Sequence, residues 1–367
     1  MTNERATKHA RVVAYLDAHG LDGVLLARRC NFAWYTGGAH NHVDTACDAG
    51  GSWLVVTRDG ARCIATNIEA TRLGGEELAG VGIEVRDYPY HEPGAGQRAV
   101  AEAVAGGRFA ADAPVGPAGL GRLETSFDRL RWQLLPAEIE RYRGVCADTV
   151  AALEQVAGAA EPGQSENELA GRLAAALHAR GLLPWVLLVG ADQRVERHRH
   201  PLPTAAPAER YFMLVTCAER GGLIAASSRL AHFGPVPEEL QAKHRAVAAV
   251  EAALWRATRP GAKLGEIFAV AQEAYAAVGH ADQWRLHHQG GSCGYLPREV
   301  KAAPDEPTEA LAEQAFAWNP SITGTKGEDT VLCTEGGCEP LAGPTDWPTV
   351  EAAWDGATFL RPAIREL

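Results

Sequence analysis

Long apolar runs are missing from this sequence: none approaches the roughly 20 residues that a membrane-spanning helix needs. Basic charge is scarce. Lys and Arg together number 35 against 46 Asp and Glu, a formal charge of −11. That balance speaks against a protein that tracks a phosphate backbone or an anionic membrane surface. None of the eight cysteines (30, 47, 63, 146, 217, 293, 333 and 338) forms a Cys-x-x-Cys pair. Neither a zinc ribbon nor a disulfide framework fits this pattern, and reduced, mostly buried thiols are expected. The segment from Met1 to Arg11 is polar and lacks the apolar core of a secretion signal, so a cytoplasmic location is expected. No internal repeat or low-complexity tract stands out.

What is present is apolar content sufficient for two cores: 367 residues, 46% hydrophobic, at roughly 150 residues per domain. The first third reads as α/β. A helix of period 3.6 runs near Thr7 to Ala18 and stops at Gly20. An apolar strand follows at Gly23 to Ala27, then a hairpin of Ser52–Thr57 and Arg62–Thr66. Between them, Thr36 to Gly51 is a polar loop holding His40, His42, Asp44 and Asp48, of a length that usually carries function. Gly94 to Pro117, rich in Ala, Gly and Pro, predicts loose turns. A boundary is expected near residue 135, where Pro136 opens a helix with Ile139, Tyr142, Val145 and Cys146 on one face. Downstream, Ser165 and Glu168 have the spacing of a capping box. Strands are expected at Trp185–Val189, Tyr211–Cys217, Gly222–Ala226, Gln314–Trp318 and Asp329–Cys333, and helices at Glu238–Thr258 and Leu264–Val278. The second part is therefore α+β, with mostly antiparallel strands.

Polar chemistry gathers in three places. His198 and His200 lie in a Pro-rich segment, with His232 beyond the next hairpin, and His287 and His288 precede a glycine-rich one that runs through Tyr295 to Arg298 and Glu299. Neutral imidazole at pH 7 suits acid–base work or metal ligation; such histidines can equally cap surface loops. The third cluster, Asn319, Lys326, Glu328 and Asp329, sits between two apolar strands. Burying it requires that its members satisfy each other or a ligand, unless it is a solvated hairpin tip.

Taken in this order, the clusters resemble the pita-bread fold family, which includes Xaa-Pro aminopeptidases, prolidases, methionine aminopeptidases and creatinase. Asn31 to Gly37 is similar to the family's Asn-x-x-Tyr-x-Thr-Gly motif. Ala137 to Arg141 resembles the opening of the catalytic domain, Gly234 to Gln241 the entry to its middle helix, and Ser321 to Gly337, which ends in Glu-Asp-Thr-Val-Leu-Cys-Thr-Glu-Gly-Gly, the family's closing motif. The resemblance implies a creatinase-like α/β domain over 1–135. Over 136–367 it implies an α+β pita-bread domain with a mostly antiparallel curved sheet. It also implies a homodimer, the loop with His40 and His42 reaching the partner's active site.

Metal-dependent members hold two divalent ions with two aspartates, a histidine and two glutamates. By resemblance these positions are Val215, Ala226, His287 (His288 also satisfies the spacing), Asn319 and Glu328. Val and Ala offer no lone pair and Asn only a neutral oxygen, so a two-ion centre is not expected, and no cofactor is expected. Creatinase, which has this fold without metals, is the relative that the His287–Tyr295–Arg298–Glu299 spacing resembles. On that likeness His198, in His-x-x-Pro, is the expected acid–base group, with His287 and Glu328 also catalytic. Arg298 would clamp a substrate carboxylate, Asn319 would act at the reacting carbon, and His200, His288, Tyr295, Glu299 and Lys326 would line the pocket.

The favoured reading is a metal-independent, creatinase-like hydrolase acting on a C–N bond of a small carboxylate-bearing nitrogen compound. The alternatives are a peptidase-like hydrolase with one divalent ion on His198, His200, His287 and Glu328, a lyase or cyclase, or a non-catalytic binding protein.

Overall fold

The structure, a computed structural model, describes residues 3–116 and 119–367; Met1 and Pro117, which bound two of the segments above, lie outside the described residues. The chain divides into two compact units, Met1–Arg131 and Trp132–Leu367. The division falls four residues ahead of the expected boundary, because the turn of 3₁₀ helix at Thr125–Arg131 belongs to the first unit.

The first unit comprises α1 (Asn3–His19), β1 (Gly23–Arg28), α2 (Arg29–Thr36), β2 (Ala49–Thr57), β3 (Gly60–Thr66), β4 (Glu84–Tyr88), α3 (Ala95–Ala103), β5 (Phe109–Ala111) and β6 (Gly121–Arg122). They form an α/β unit around one six-stranded sheet in the order β4-β3-β2-β1-β5-β6. The hairpin closes with Thr57 opposite Gly60. Asn31 to Gly37 proves to be helical: α2 ends as Gly37 takes φ 84°, a left-handed position that glycine adopts without a Cβ penalty. The expectation of loose turns over Gly94 to Pro117 is corrected. The alanines there supply a helix face, and Ala99 and Val100 pack with Leu25, Val55, Ile64 and Phe109.

In the second unit α4 (Pro136–Gly158) and α5 (Glu166–His178) precede β7 (Leu183–Ala191), β8 (Tyr211–Arg220) and β9 (Leu223–His232). Then come α6 (Glu238–Ala257), α7 (Leu264–Ala277), β10 (Gly290–Cys293), β11 (Val300–Lys301), β12 (Ala315–Trp318), β13 (Ser321–Ile322), β14 (Thr325–Lys326), β15 (Asp329–Thr334) and β16 (Gly337–Pro340). β17 (Thr349–Trp354), β18 (Ala357–Pro362) and β19 (Arg365–Glu366) complete it. Ser165 caps α5: its Oγ accepts from Glu168 N–H at 3.2 Å, while Glu168 accepts from Ser165 N–H at 2.7 Å.

Two sheets carry this unit, β19-β9-β8-β7 and β11-β10-β12-β15-β16, with β19 running parallel to β9 and the other pairings antiparallel. They join where Ser228 N–H donates to Glu328 O and Ala226 N–H to Thr330 Oγ1, at 3.0 and 2.8 Å. The main core lies between α6, α7 and the second sheet, around Leu254, Trp255, Phe268, Tyr275, Phe316 and Trp318. Among the described residues no helix is long and apolar enough to cross a membrane.

Candidate active site

The site lies in the second unit, where the two sheets meet. Antiparallel neighbours share a face, so the pairs Val215↔Ser228 and Cys217↔Ala226 put these four side chains on one side of the β8–β9 hairpin. The row continues through Glu328, which receives the Ser228 N–H, to Asn319, whose N–H donates to Gln289 O at 3.0 Å. Asn319 stands one residue past the last rung of the β12–β15 ladder, Trp318↔Asp329, and so beside Glu328. β10 lies tight against its neighbours: a Cβ on Gly291 would come within 2.1 Å of Val300 O.

Three histidines converge here. His200, His287 and His288 bring ligand-capable nitrogens within 4.8 Å of one another. His287 Nε2 lies 3.1 Å from His200 Nε2, and its Nδ1 lies 3.2 Å from Ser321 Oγ. His288 Nδ1 accepts from Gly290 N–H at 3.3 Å. Burial, then the charge of Lys326, depresses the proton affinity of His200 and, far more strongly, of buried His287. Burial and Arg298 bring His288 down to about 4. All three rings are therefore neutral at pH 7.

Beside them Glu328 is held from both sides. Lys326 Nζ donates to Oε2 at 2.6 Å and Arg298 Nη2 to Oε1 at 2.8 Å, with Lys326 and Glu328 each 3% exposed. Burial alone would raise the Glu328 carboxyl; Lys326 and Arg298 outweigh it and hold the group below the ordinary value. The short hairpin β13–β14 places Ser321 opposite Lys326, so one element serves both His287 and Glu328. Burial pushes the Cys217 thiol, within the field of this ion cluster, up to about 11, which leaves it uncharged.

The His200 segment is fastened from α5. Glu166, fully buried, accepts from Ala191 N–H (2.9 Å), Arg194 Nε (2.8 Å), Thr204 N–H (2.9 Å) and Thr204 Oγ1 (2.6 Å). It thus ties down both ends of the stretch that carries His200. Tyr275 does the same on the other side: its hydroxyl accepts from Ser321 N–H at 2.8 Å and lies 2.9 Å from Gln289 Oε1.

The structure places the expected site residues as follows. His198 does not join the cluster. It ends the short helix Gln193–Arg197, its N–H donating to Arg194 O, with its side chain exposed. The position is taken by His200, which also begins a His-x-x-Pro, His200-Pro201-Leu202-Pro203. Tyr295 does not serve as a pocket hydroxyl: it donates to Glu138 Oε1 of α4 at 2.6 Å. Arg298 is partly committed within the protein, Nη1 donating to Pro297 O (2.6 Å) and Nη2 to Glu328 (2.8 Å). Glu299 is half-buried beside Arg298, its N–H donating to Ser292 O in the β10–β11 turn. His40 and His42 belong to the first unit, where their rings stand 5.2 Å apart and His42 lies 3.3 Å from Arg29. His232 bonds to Gly234 O, away from the three-histidine group. Ser321 opens the closing motif, whereas Ser228, Glu166 and Tyr275 belong to no motif. For Glu166 the one sequence signal was its place beside a helix cap, and for Ser228 its place two residues past Ala226.

Comparison with known proteins agrees with this architecture. Residues 140–335, just over half of the chain, match the description "Metallopeptidase family M24". No curated protein matches. Among solved structures, dipeptidase PepE from Mycobacterium ulcerans is 20% identical, with a TM-score of 0.74 over 93% of this chain and 96% of its own. The X-Pro aminopeptidase from Thermotoga maritima is 14% identical, with a TM-score of 0.76 over 98% and 99%. The N-terminal domain of FACT complex subunit SPT16 from Cicer arietinum is 12% identical, with a TM-score of 0.66 over 92% and 95%. The fold is thus shared by proteins described as peptidases and by a subunit of a larger complex. With the family profile spanning most of the second unit and its sheets arranged around the site, the chain belongs to metallopeptidase family M24.

Proposed function

We propose that this chain is a metal-independent hydrolase that cleaves a C–N bond of a small, carboxylate-bearing nitrogen compound by side-chain acid–base catalysis. The observation that carries the reading is the 3.1 Å contact between the neutral rings of His200 and His287 beside an ion cluster of net positive charge. With Nδ1–H of His287 donating to Ser321 Oγ and Nε2–H of His200 donating to His287 Nε2, His200 Nδ1 remains as a base. It takes a proton from water as the oxygen attacks the acyl carbon, then returns it to the leaving nitrogen. Lys326 and Arg298 supply positive potential where the oxyanion develops.

The residues at the family's metal positions do not fit a two-ion centre. Val215 and Ala226 have no donor atom, and the Asn319 oxygen is uncharged. Both Glu328 oxygens already face cations, whose charge opposes an added metal ion. This donor chemistry supports the metal-free reading, and no step is routed through an ion.

A second reading, one transition-metal ion on His200, His287 and His288, is favoured by their 4.8 Å grouping. Against it stand two features. Lys326 and Arg298 lie close, and the Gly290 N–H at His288 Nδ1 puts the proton of the neutral ring on Nε2. Elemental analysis of the purified protein, with turnover measured before and after chelation, decides between them. Activity that persists without stoichiometric metal is expected; its loss on chelation and return with one ion per chain would establish the second reading.

A further inference from the structure

The row beside Glu328 holds three polar atoms that are buried and without hydrogen-bond partners: Ser228 Oγ, Asn319 Oδ1 and Arg298 Nε. Ser228 and Asn319 are 3% and 2% exposed and flank Glu328 along the row described above. Arg298 reaches the same Glu328 carboxylate through Nη2. Unpaired buried polar atoms are costly unless a ligand completes them. Their chemistry is directional. Arg298 Nε–H only donates, Asn319 Oδ1 only accepts, and the Ser228 hydroxyl does either. The complementary ligand offers oxygens to Arg298 and Ser228 and an N–H to Asn319.

Charge narrows the class further. Glu328 has Oε1 on Arg298 and Oε2 on Lys326. A substrate ammonium would find no uncommitted carboxylate in this row and would face two cations against one anion. An amide nitrogen carries the N–H without the charge.

We infer that the Ser228–Asn319–Arg298 group recognises an N-acylated amino acid, an anion whose nitrogen is blocked as an amide, in preference to a peptide with a free amino terminus. Asn319 Oδ1 accepts the amide N–H, while Ser228 and Arg298 Nε hold the oxygens. The inference rests on the metal-free reading of the site, because an ion on Glu328 would restore a place for a free amine.

The test uses the full chain and two matched probes, N-acetylglycine and glycylglycine, which share the amide and carboxylate and differ in the ammonium. Dissociation constants are measured by ligand-observed NMR. N-acetylglycine is expected to bind at least about tenfold tighter. Ser228→Ala should weaken N-acetylglycine about tenfold, and Asn319→Asp, which restores a negative charge, should reverse the preference. Thermal melts confirm that both variants fold. Glycylglycine binding equally or more tightly, binding of neither probe, or indifference to both substitutions overturns the inference. Failure of the catalytic reading looks different: N-acetylglycine binds with the expected preference but stays intact.

Discussion

Two buried ion clusters lie back to back in the second unit, and consecutive residues seed them. Glu328 and Asp329 point to opposite sides of the strand, as alternation requires. Asp329 enters a closed network: Arg229 bridges it to Glu154, and Arg361 bridges it to Glu251 while stacking 4.0 Å over Trp255. None of the buried side-chain atoms of its charged members, Asp329, Arg229, Glu154, Arg361 and Glu251, lacks a partner among the described residues. Glu328 enters an open one, with two cations, one anion, an unpaired Arg298 Nε, and unpaired Ser228 and Asn319 beside it. The closed cluster has the features of architecture, since every charge is paired within the protein. The open cluster is left for something outside the chain to complete, and the histidines border this one.

The sharpest way to break the comparison is at the open side. His200→Ala should lower kcat by about 10²–10⁴-fold, the range for removal of a general acid–base group. The melting temperature should barely move, because His200 is an exposed residue. Steady-state kinetics beside a thermal melt checks both, and near-native turnover would remove His200 from the mechanism. On the closed side, Arg361→Met strands Glu251 and leaves Asp329 with Arg229 alone. It should cost about 3–5 kcal/mol in urea unfolding, the usual loss when one member of a buried pair is removed. A loss below about 1 kcal/mol would mean that the closed cluster does not hold the fold.

This contrast also explains what the sequence could reveal. The two-unit plan was legible because hydrophobic periods and turn residues are local: the β2–β3 hairpin, the Ser165 cap and the α6 and α7 ranges all lie within two or three residues of expectation. The order of the polar clusters identified the family. Which face each group takes was not local. His198 and His200 both open a His-x-x-Pro, and the short helix at Gln193–Arg197 decides between them. That Arg298 is bound to Glu328, thirty residues on, and Tyr295 to Glu138, 157 residues back, depends on strand register that no spacing encodes. Ala-rich Gly94–Val104 misled for the opposite reason: its composition suggests turns, but one apolar face was enough to dock a helix.

Smaller effects sharpen the electrostatics. Between pH 7.5 and 5 the unfolded chain's histidines gain protons near the ordinary 6.5, whereas folded His288 resists until about 4 and His287 resists further. The unfolded state therefore binds more protons over that window, and stability must fall as pH falls. The urea midpoint should be lower at pH 5 than at 7.5, and His288→Gln should reduce the difference. An unchanged midpoint in the native protein would show that these rings protonate normally.

The smallest effect is expected at His198. Its side chain is exposed and, among the described residues, takes no hydrogen bond; the residue contributes to the fold through its backbone N–H to Arg194 O. Substituting alanine keeps that N–H, so stability should stay within about 0.5 kcal/mol, as for most exposed sites, and turnover within about twofold. The same kinetic measurement on His200→Ala and His198→Ala then assigns the catalytic imidazole. A large loss at position 198 would mean that the segment fastened by Glu166 rearranges when substrate binds, exchanging one histidine for the other.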